Sequence, residues 1–392
     1  MMGGHEVADP ASMGLDPAKL DRARRMIEEH VAAEKSPGVA AVVVRRGKVV
    51  LAEAHGVRNV AGDSMMVDTP FTIASATKPI TAGTLMSLVE EGRIGLNQRV
   101  VDYIPEMPES LHGVLVHHLL THTGGFDAPE WSGMLRARIV ECAHEDAAWG
   151  RDLMVNGFLG CIPHLGARAK PGEGMLYASI SYEILGEVIR RVTGRSVGAE
   201  MQERILDPVG MTDTQMVPDA AFRSRAVELW PDLPLYSLLD TVFGCTNDDM
   251  YQSDSAGGGL CSSARDNTKY GQMILDGGLV DGRRVLSKAT VKAMTTNQIP
   301  GTPDVLFGHA EASWGYGFSV ICEERWPYFG GGLVPKGSVT HNGAGGVDHW
   351  IDFENGIAGA FFELVTEMSP DLEPISGIGH RFQDVITAAV VD

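Results

Sequence analysis

Basic residues are scarce in this sequence: 32 lysines and arginines stand against 51 aspartates and glutamates, a formal net charge of −19. Nucleic acids and anionic membranes are bound through clustered Lys and Arg, so this balance argues against both as partners. Cysteine is also sparse. Cys142, Cys161, Cys245, Cys261 and Cys322 are odd in number, scattered, and form no Cys-x-x-Cys. They indicate neither a disulfide framework nor a thiolate zinc site, and read as reduced core residues. No apolar stretch is long enough to span a bilayer, and Met1 to Pro10 lacks the basic start and apolar run of a signal peptide. A soluble, cytoplasmic protein is expected. The glycine-rich stretch Ser255 to Ser263 matches neither Gly-x-Gly-x-x-Gly nor a phosphate loop, so no nucleotide and no cofactor is expected.

What is present is an ordinary globular composition over 392 residues, long enough for a sizeable core and for two intermixed subdomains. The chain is organised around Ile73-Ala74-Ser75-Ala76-Thr77-Lys78. If Ser75 opens a helix, Lys78 lies three residues on and on the same face, within reach of the hydroxyl. A serine hydroxyl needs a neighbouring base to act as a nucleophile, and an amine becomes that base when desolvation or nearby charge holds it neutral. The plainer reading of an isolated Ser-x-x-Lys is a helix cap beside a solvated lysine, so other parts of the chain must decide. The helix that follows carries Ala82, Leu85, Met86 and Val89 on one side and stops at Gly92, which suits central burial.

Upstream, Asp16-Pro17 caps a helix with Leu20, Ala23, Ile27 and Val31 at helical spacing. Val39 to Val44 and Val49 to Ala54 follow as a predicted hairpin with Gly47 in its turn. Residues 100–290 read as helical segments with irregular connections. Within them His118 and His122 are four apart, but Leu119 stands where a zinc-protease helix needs glutamate, so packing or anchoring of a helix end is the better account. Tyr177 falls on a loop just before a helix closed by Gly194. It is either a surface residue or a phenol whose proton a neighbouring ammonium loosens. Gly194-Arg195-Ser196-Val197-Gly198 fits the Gly-x-Ser-x-Gly elbow, yet a helix leads into it instead of a strand, and Ser196 reads as a cap. Leu229 to Phe243 is a dense apolar and aromatic run, suited to core, an acyl pocket or a dimer contact. Strands return at Trp314 to Val320 and Ser338 to Gly346, and His349 to Glu354 and Ile357 to Val365 pair across Asn355-Gly356. A helix from His380 to Val390 closes the chain.

With these residues in view the chain resembles the serine β-lactamase and penicillin-binding-protein superfamily, in the branch of class C β-lactamases and family VIII carboxylesterases. Ser75-Ala76-Thr77-Lys78 matches the first motif, Tyr177-Ala178-Ser179 resembles the second, and His341-Asn342-Gly343 occupies the place of the Lys-Thr-Gly third. The resemblance implies an α/β (α+β) fold of the β-lactamase/transpeptidase type, an antiparallel sheet flanked by helices. Residues 1–100 and 290–392 would form the α/β domain and 101–289 a mostly helical insertion, with the active site in the cleft between. It implies Ser75 as nucleophile, Lys78 and Tyr177 as the proton-transfer pair, and backbone N–H groups of Ser75 and Ala344 as oxyanion hole. Ser179, His341, Gly343 and Trp350 are the expected substrate-binding residues, with no metal.

Histidine in place of the third-motif lysine removes a fixed positive charge, which weakens the case for penicillins and D-Ala-D-Ala peptides. The expectation is a serine hydrolase cleaving carboxylic esters of small to medium acyl chains, as monomer or homodimer. The alternatives are a β-lactamase or D-Ala-D-Ala peptidase-like amide hydrolase, a lactonase or an acyltransferase, and a non-catalytic acyl-binding or sensor protein.

Overall fold

Asp16 accepts a hydrogen bond from the Ala18 amide at 2.9 Å and Pro17 fills the first turn, so helix α1 (Pro17–Ala32) starts where the sequence predicts. It buries Leu20, Ala23 and Ile27. Strands β1 (Gly38–Arg45) and β2 (Lys48–Gly56) pair antiparallel, and the turn between them is tight because Arg46 and Gly47 both take positive φ, 48° and 80°. This computed structural model describes residues 7–126, 133–142, 152–228, 246–306, 308–322, 330–366 and 378–392.

Strand β3 (Phe71–Thr72) leads through a 3-10 turn, Ala74–Thr77, into α2 (Lys78–Glu90), which is buried on nearly all sides. Short α3 (Val116–Leu120), α4 (Met134–Cys142) and α5 (Leu153–Cys161) follow, then the long α6 (Ser179–Thr193) and α7 (Val197–Met201). Two small strands, β4 (Gln215–Met216) and β5 (Leu260–Ser262), form a three-stranded patch with β3 in the order β3-β5-β4. Helix α8 (Ala264–Leu275) precedes the last strands, β6 (Ser319–Val320), β7 (Val339–Gly343), β8 (Val347–Asp352) and β9 (Ile357–Glu363), and α9 (Gly379–Ala388) ends the fold.

The main sheet runs β2-β1-β9-β8-β7-β6, antiparallel throughout, so strands from both chain ends meet where β1 pairs with β9. Its two faces carry separate cores. On one, Val39, Ala41, Val43, Trp350 and Phe361 pack against α1 and α9. On the other, Val42, Val44, Val339, Val347 and Ile351 join the large core that contains α2, α6 and α8. Helix α8 lies directly on the sheet: Gly271 faces Ala358, and Gln272 Oε1 accepts from the Gly47 amide at 3.1 Å. Residues 264–275 thus belong to the layer covering the sheet, although they fall inside the range 101–289 read as the helical insertion. Arg45, fully buried at the end of β1, donates to the Met13, Gly14 and Asn355 carbonyls and to the Asp392 carboxylate, tying that strand to both ends of the chain.

Three sequence expectations change. Only Ser319–Val320 of the run 314–320 is strand, because Gly315 and Gly317 carry the backbone against other elements. A Cβ at 315 would lie 2.1 Å from the Met294 carbonyl oxygen, and one at 317 would lie 2.7 Å from Ala82 Cβ. The β8–β9 connection spans four residues, 353–356, instead of two, because Asp352 caps it through Asn355 N (3.0 Å) and Asn355 Nδ2 (2.7 Å). Trp350 does not face a substrate. Strand alternation turns it to the α9 side, where its ring meets Phe382 edge-on at 6.2 Å and fills the space that a side chain at Gly359 would need.

Trp350→Ala is therefore expected to lower stability by about 3–5 kcal/mol in urea unfolding. The volume-sparing Trp350→Phe should cost less and leave substrate KM unchanged. A KM change in a folded Trp350→Phe protein would return this residue to the site.

Candidate active site

The segment bearing Ser75 is fixed from both sides before its helix begins. Thr72 pairs with Cys261 in the β3–β5 ladder, the Ile73 amide donates to the Leu260 carbonyl at 3.0 Å, and the Leu260 amide donates to Thr77 Oγ1 at 3.2 Å. Ala74 then takes φ +43°, a left-handed conformation costing a non-glycine residue about 1–2 kcal/mol. That sharp reversal presents half-buried Ser75 at the head of α2. One turn on, Lys78 has no solvent exposure; its Nζ donates to Ser75 Oγ at 2.9 Å and to the Gly257 carbonyl at 2.8 Å. The plainer reading of a solvated lysine is gone.

Tyr177 leads into α6, and its ring lies over the amine, with Lys78 Nζ 5.2 Å from the Tyr177 centroid and 5.7 Å from that of Tyr182. Tyr177 is held by a stack. His122 lies 4.4 Å from it between centroids, Trp314 at 5.7 Å and His341 at 6.2 Å. His122, at φ +56°, ties the loop after α3 to the second motif: its carbonyl accepts from Leu176 N at 2.9 Å and its Nδ1 from Ala178 N at 3.3 Å. Accepting at Nδ1 assigns the ring proton to Nε2. Burial, with the Lys78 charge second, pushes the His122 pKa well below its ordinary value, so the ring is neutral.

The third motif enters by close backbone approach. A Cβ on Gly343 would fall 2.1 Å from the Ile73 carbonyl oxygen, so only glycine lets the end of β7 reach the Ser75 segment. Ala344 follows, half-buried, in a turn completed by Gly345 and Gly346 at φ 95° and 102°. His341 is fully buried behind Tyr177, 5.6 Å from Trp314 between centroids, with Nδ1 2.8 Å from the Asn342 carbonyl. Burial first, then Lys78 and His349, drive its pKa well down. It is thus a neutral wall of the aromatic stack, not an exposed group for a substrate, which corrects the sequence expectation. Ser179 stands half-buried at the first turn of α6, its carbonyl close to Gly257.

Other candidates resolve simply. Ser196 Oγ accepts from the Ala199 amide at 3.2 Å as the cap of α7, and Gly194 is the left-handed residue closing α6. His118 Nδ1 accepts from the Leu115 amide at 3.1 Å, anchoring the start of α3. Among the described residues no group of three or more His, Cys, Asp or Glu side chains is placed to hold a metal, and no helix is long and apolar enough to cross a membrane. Cys161 and Cys261 are buried, while Cys322 is only half-buried. The apolar run 229–243 lies outside the described residues. Sequence reasoning missed Trp314 and Gly257. Both were in view, one as a strand residue and the other in a failed phosphate loop, and only their long-range partners reveal the role.

The Beta-lactamase family model matches residues 23–372. The chain belongs to the β-lactamase family. It is 30% identical to protein Rv1367c of Mycobacterium tuberculosis over 71% of this chain and 72% of that one, and 32% identical to esterase EstB of Burkholderia gladioli over 53% and 55%. The crystal structure of a family VIII carboxylesterase superposes with a TM-score of 0.70 at 22% identity, covering 95% of this chain and 97% of the other, and shows the shared fold. This is a β-lactamase-fold member of a family of serine hydrolases, with an antiparallel sheet flanked by helices.

The buried histidines also make a measurement. His349, opposite His341 on β8, is pushed by burial to about 4. Unfolded, it titrates near 6.5, so between these values the unfolded chain binds more protons and the folded state loses stability as pH falls. Glu183, raised by burial to about 7, acts in the opposite sense over an overlapping range, so a difference is the proper readout. The stability advantage of wild type over His349→Gln should shrink by up to about 3 kcal/mol as pH falls from 6.5 to about 4, followed by urea unfolding at stepped pH.

Proposed function

We propose that this protein is a serine carboxylesterase that cleaves esters of small to medium acyl chains through an acyl-serine intermediate. The observation that carries this reading is the 2.9 Å contact between Ser75 Oγ and a fully buried Lys78 amine, itself anchored on Gly257 and roofed by Tyr177. Burial disfavours the ammonium form, which suits Lys78 to accept a proton.

In this mechanism Ser75 Oγ attacks the ester carbonyl carbon while its proton passes to the Lys78–Tyr177 pair. Negative charge gathers on the former carbonyl oxygen, where the backbone N–H groups of Ser75 and Ala344 receive it. The bond to the leaving oxygen then breaks, and the pair returns the proton to the departing alcohol. A water gives its proton to the same pair and attacks the acyl carbon, and Ser75 leaves reprotonated with the carboxylic acid released.

The third motif argues for uncharged esters. A β-lactam or peptide substrate brings a carboxylate, and the residue standing in the lysine position, His341, is buried and neutral. The esterase name of the Burkholderia relative points the same way. Slow turnover of cephalosporins is compatible with this assignment, whereas a preference for them over p-nitrophenyl esters is not.

The test is intact-protein mass spectrometry after exposure to p-nitrophenyl butyrate or a fluorophosphonate, alongside p-nitrophenol release. Ser75→Ala should lose the adduct and roughly 10³-fold or more of the rate, with Ser196→Ala close to wild type. Acylation of Ser75 without release would favour an acyl-binding or sensor protein instead.

A further inference from the structure

Glu183 takes no part in the chemistry above, yet it is 1% exposed and lies one layer behind Lys78. Its carboxylate accepts from Ser255 Oγ at 2.5 Å, Ala256 N at 3.2 Å and Gly257 N at 2.9 Å. These three residues form the turn whose last carbonyl, that of Gly257, receives the Lys78 amine at 2.8 Å. From the α2 side, Thr81 Oγ1 donates to the Ala256 carbonyl at 2.6 Å, so the turn is pinned between the Lys78 helix and the helix that follows Tyr177. No side chain fits at its tip: a Cβ on Gly257 would stand 2.8 Å from Glu183 Oε1.

The charged groups around this carboxyl come from four elements. Lys78 is on α2 and Arg190 on α6. Asp152 caps α5 and accepts from Asp254 N at 2.6 Å, and Asp254, just before the turn, accepts from Val197 N and Gly198 N at 2.8 and 2.7 Å. Arg190 Nη1 is 3.7 Å from Asp254. Burial raises the Glu183 carboxyl to about 7, with its hydrogen bonds and Arg190 opposing and Asp152 reinforcing. The group therefore changes charge near neutral pH.

We propose that Glu183 is a positioning residue for Lys78: it holds the turn 255–257 that anchors the amine, and its negative charge biases that amine toward the protonated form. Two effects follow from one side chain. Removing the charge lets Lys78 shed its proton at lower pH. Removing the acceptors loosens the Gly257 carbonyl and slows the attack by Ser75.

The inference rests on the acyl-serine reading, and the experiment separates the two. The rate of fluorophosphonate labelling of Ser75 is measured against pH by intact mass for wild type, Glu183→Gln and Ser255→Ala, with thermal melts to establish folding. Glu183→Gln should label about tenfold more slowly on the plateau, with its acid limb displaced downward by about one pH unit. Ser255→Ala, which strips one donor from the carboxylate and favours its neutral form, should move the limb the same way by less, and it carries the test if Glu183→Gln does not fold. A folded variant with the wild-type limb overturns the proposal, and so does slower labelling without displacement, the signature of a merely structural role. If Ser75 of wild type is never labelled at any pH, the acyl-serine reading falls and this inference falls with it.

Discussion

An amine withdrawn from water must be compensated by what surrounds it, and most of the architecture near Ser75 answers that demand on Lys78. An isolated buried ammonium is costly, while a buried neutral amine still needs partners for its N–H groups. The Gly257 carbonyl and the Ser75 hydroxyl supply acceptors, and two tyrosine rings lie 5.2 and 5.7 Å away with their electron-rich faces. Neither state of the amine is abandoned, which is the condition that the proposed mechanism sets for a group taking up and releasing a proton.

The sheet and helices act as a frame for this one contact. Glycines let backbone approach where a Cβ would collide: Gly343 against Ile73, Gly317 against Pro79 and Ala82, Gly257 against Glu183. Around the amine, His122 and His341 are held neutral by burial, so they line the site as polar but uncharged walls. A histidine in the lysine position of the third motif thus does more than weaken a charge. In this packing it removes the charge, and the proposed preference for uncharged esters rests on that loss.

Legibility in the sequence followed the range of the interaction. The β1–β2 hairpin, the α1 cap and the Ser75–Lys78 spacing are local, and local rules read them well. Tyr177 is local only to its own helix, and its meeting with Lys78 across the fold came from the resemblance of three ordered motifs. Trp350 illustrates a different failure: the resemblance implied a substrate-binding role, but the alternation of β8 turns its ring to the opposite face of the sheet, against Phe382. Glu183 was invisible for the reason that charged residues within a helix usually face water. Only the turn from residue 255 to 257, brought in from far along the chain, makes its burial intelligible.

The pairing of β1 with β9 has a consequence in time. During synthesis the first hairpin leaves the ribosome with one long edge bare, and its partner strand emerges on the order of half a minute later. Until then the contact of Gly343 with Ile73 cannot form, so no nascent chain shorter than the last hairpin can assemble the third motif beside its serine. An unpaired, apolar edge such as Gly38–Arg45 is a template for association with other chains. In the folded protein β9 covers that edge, and a chain ending before β9 would leave it bare.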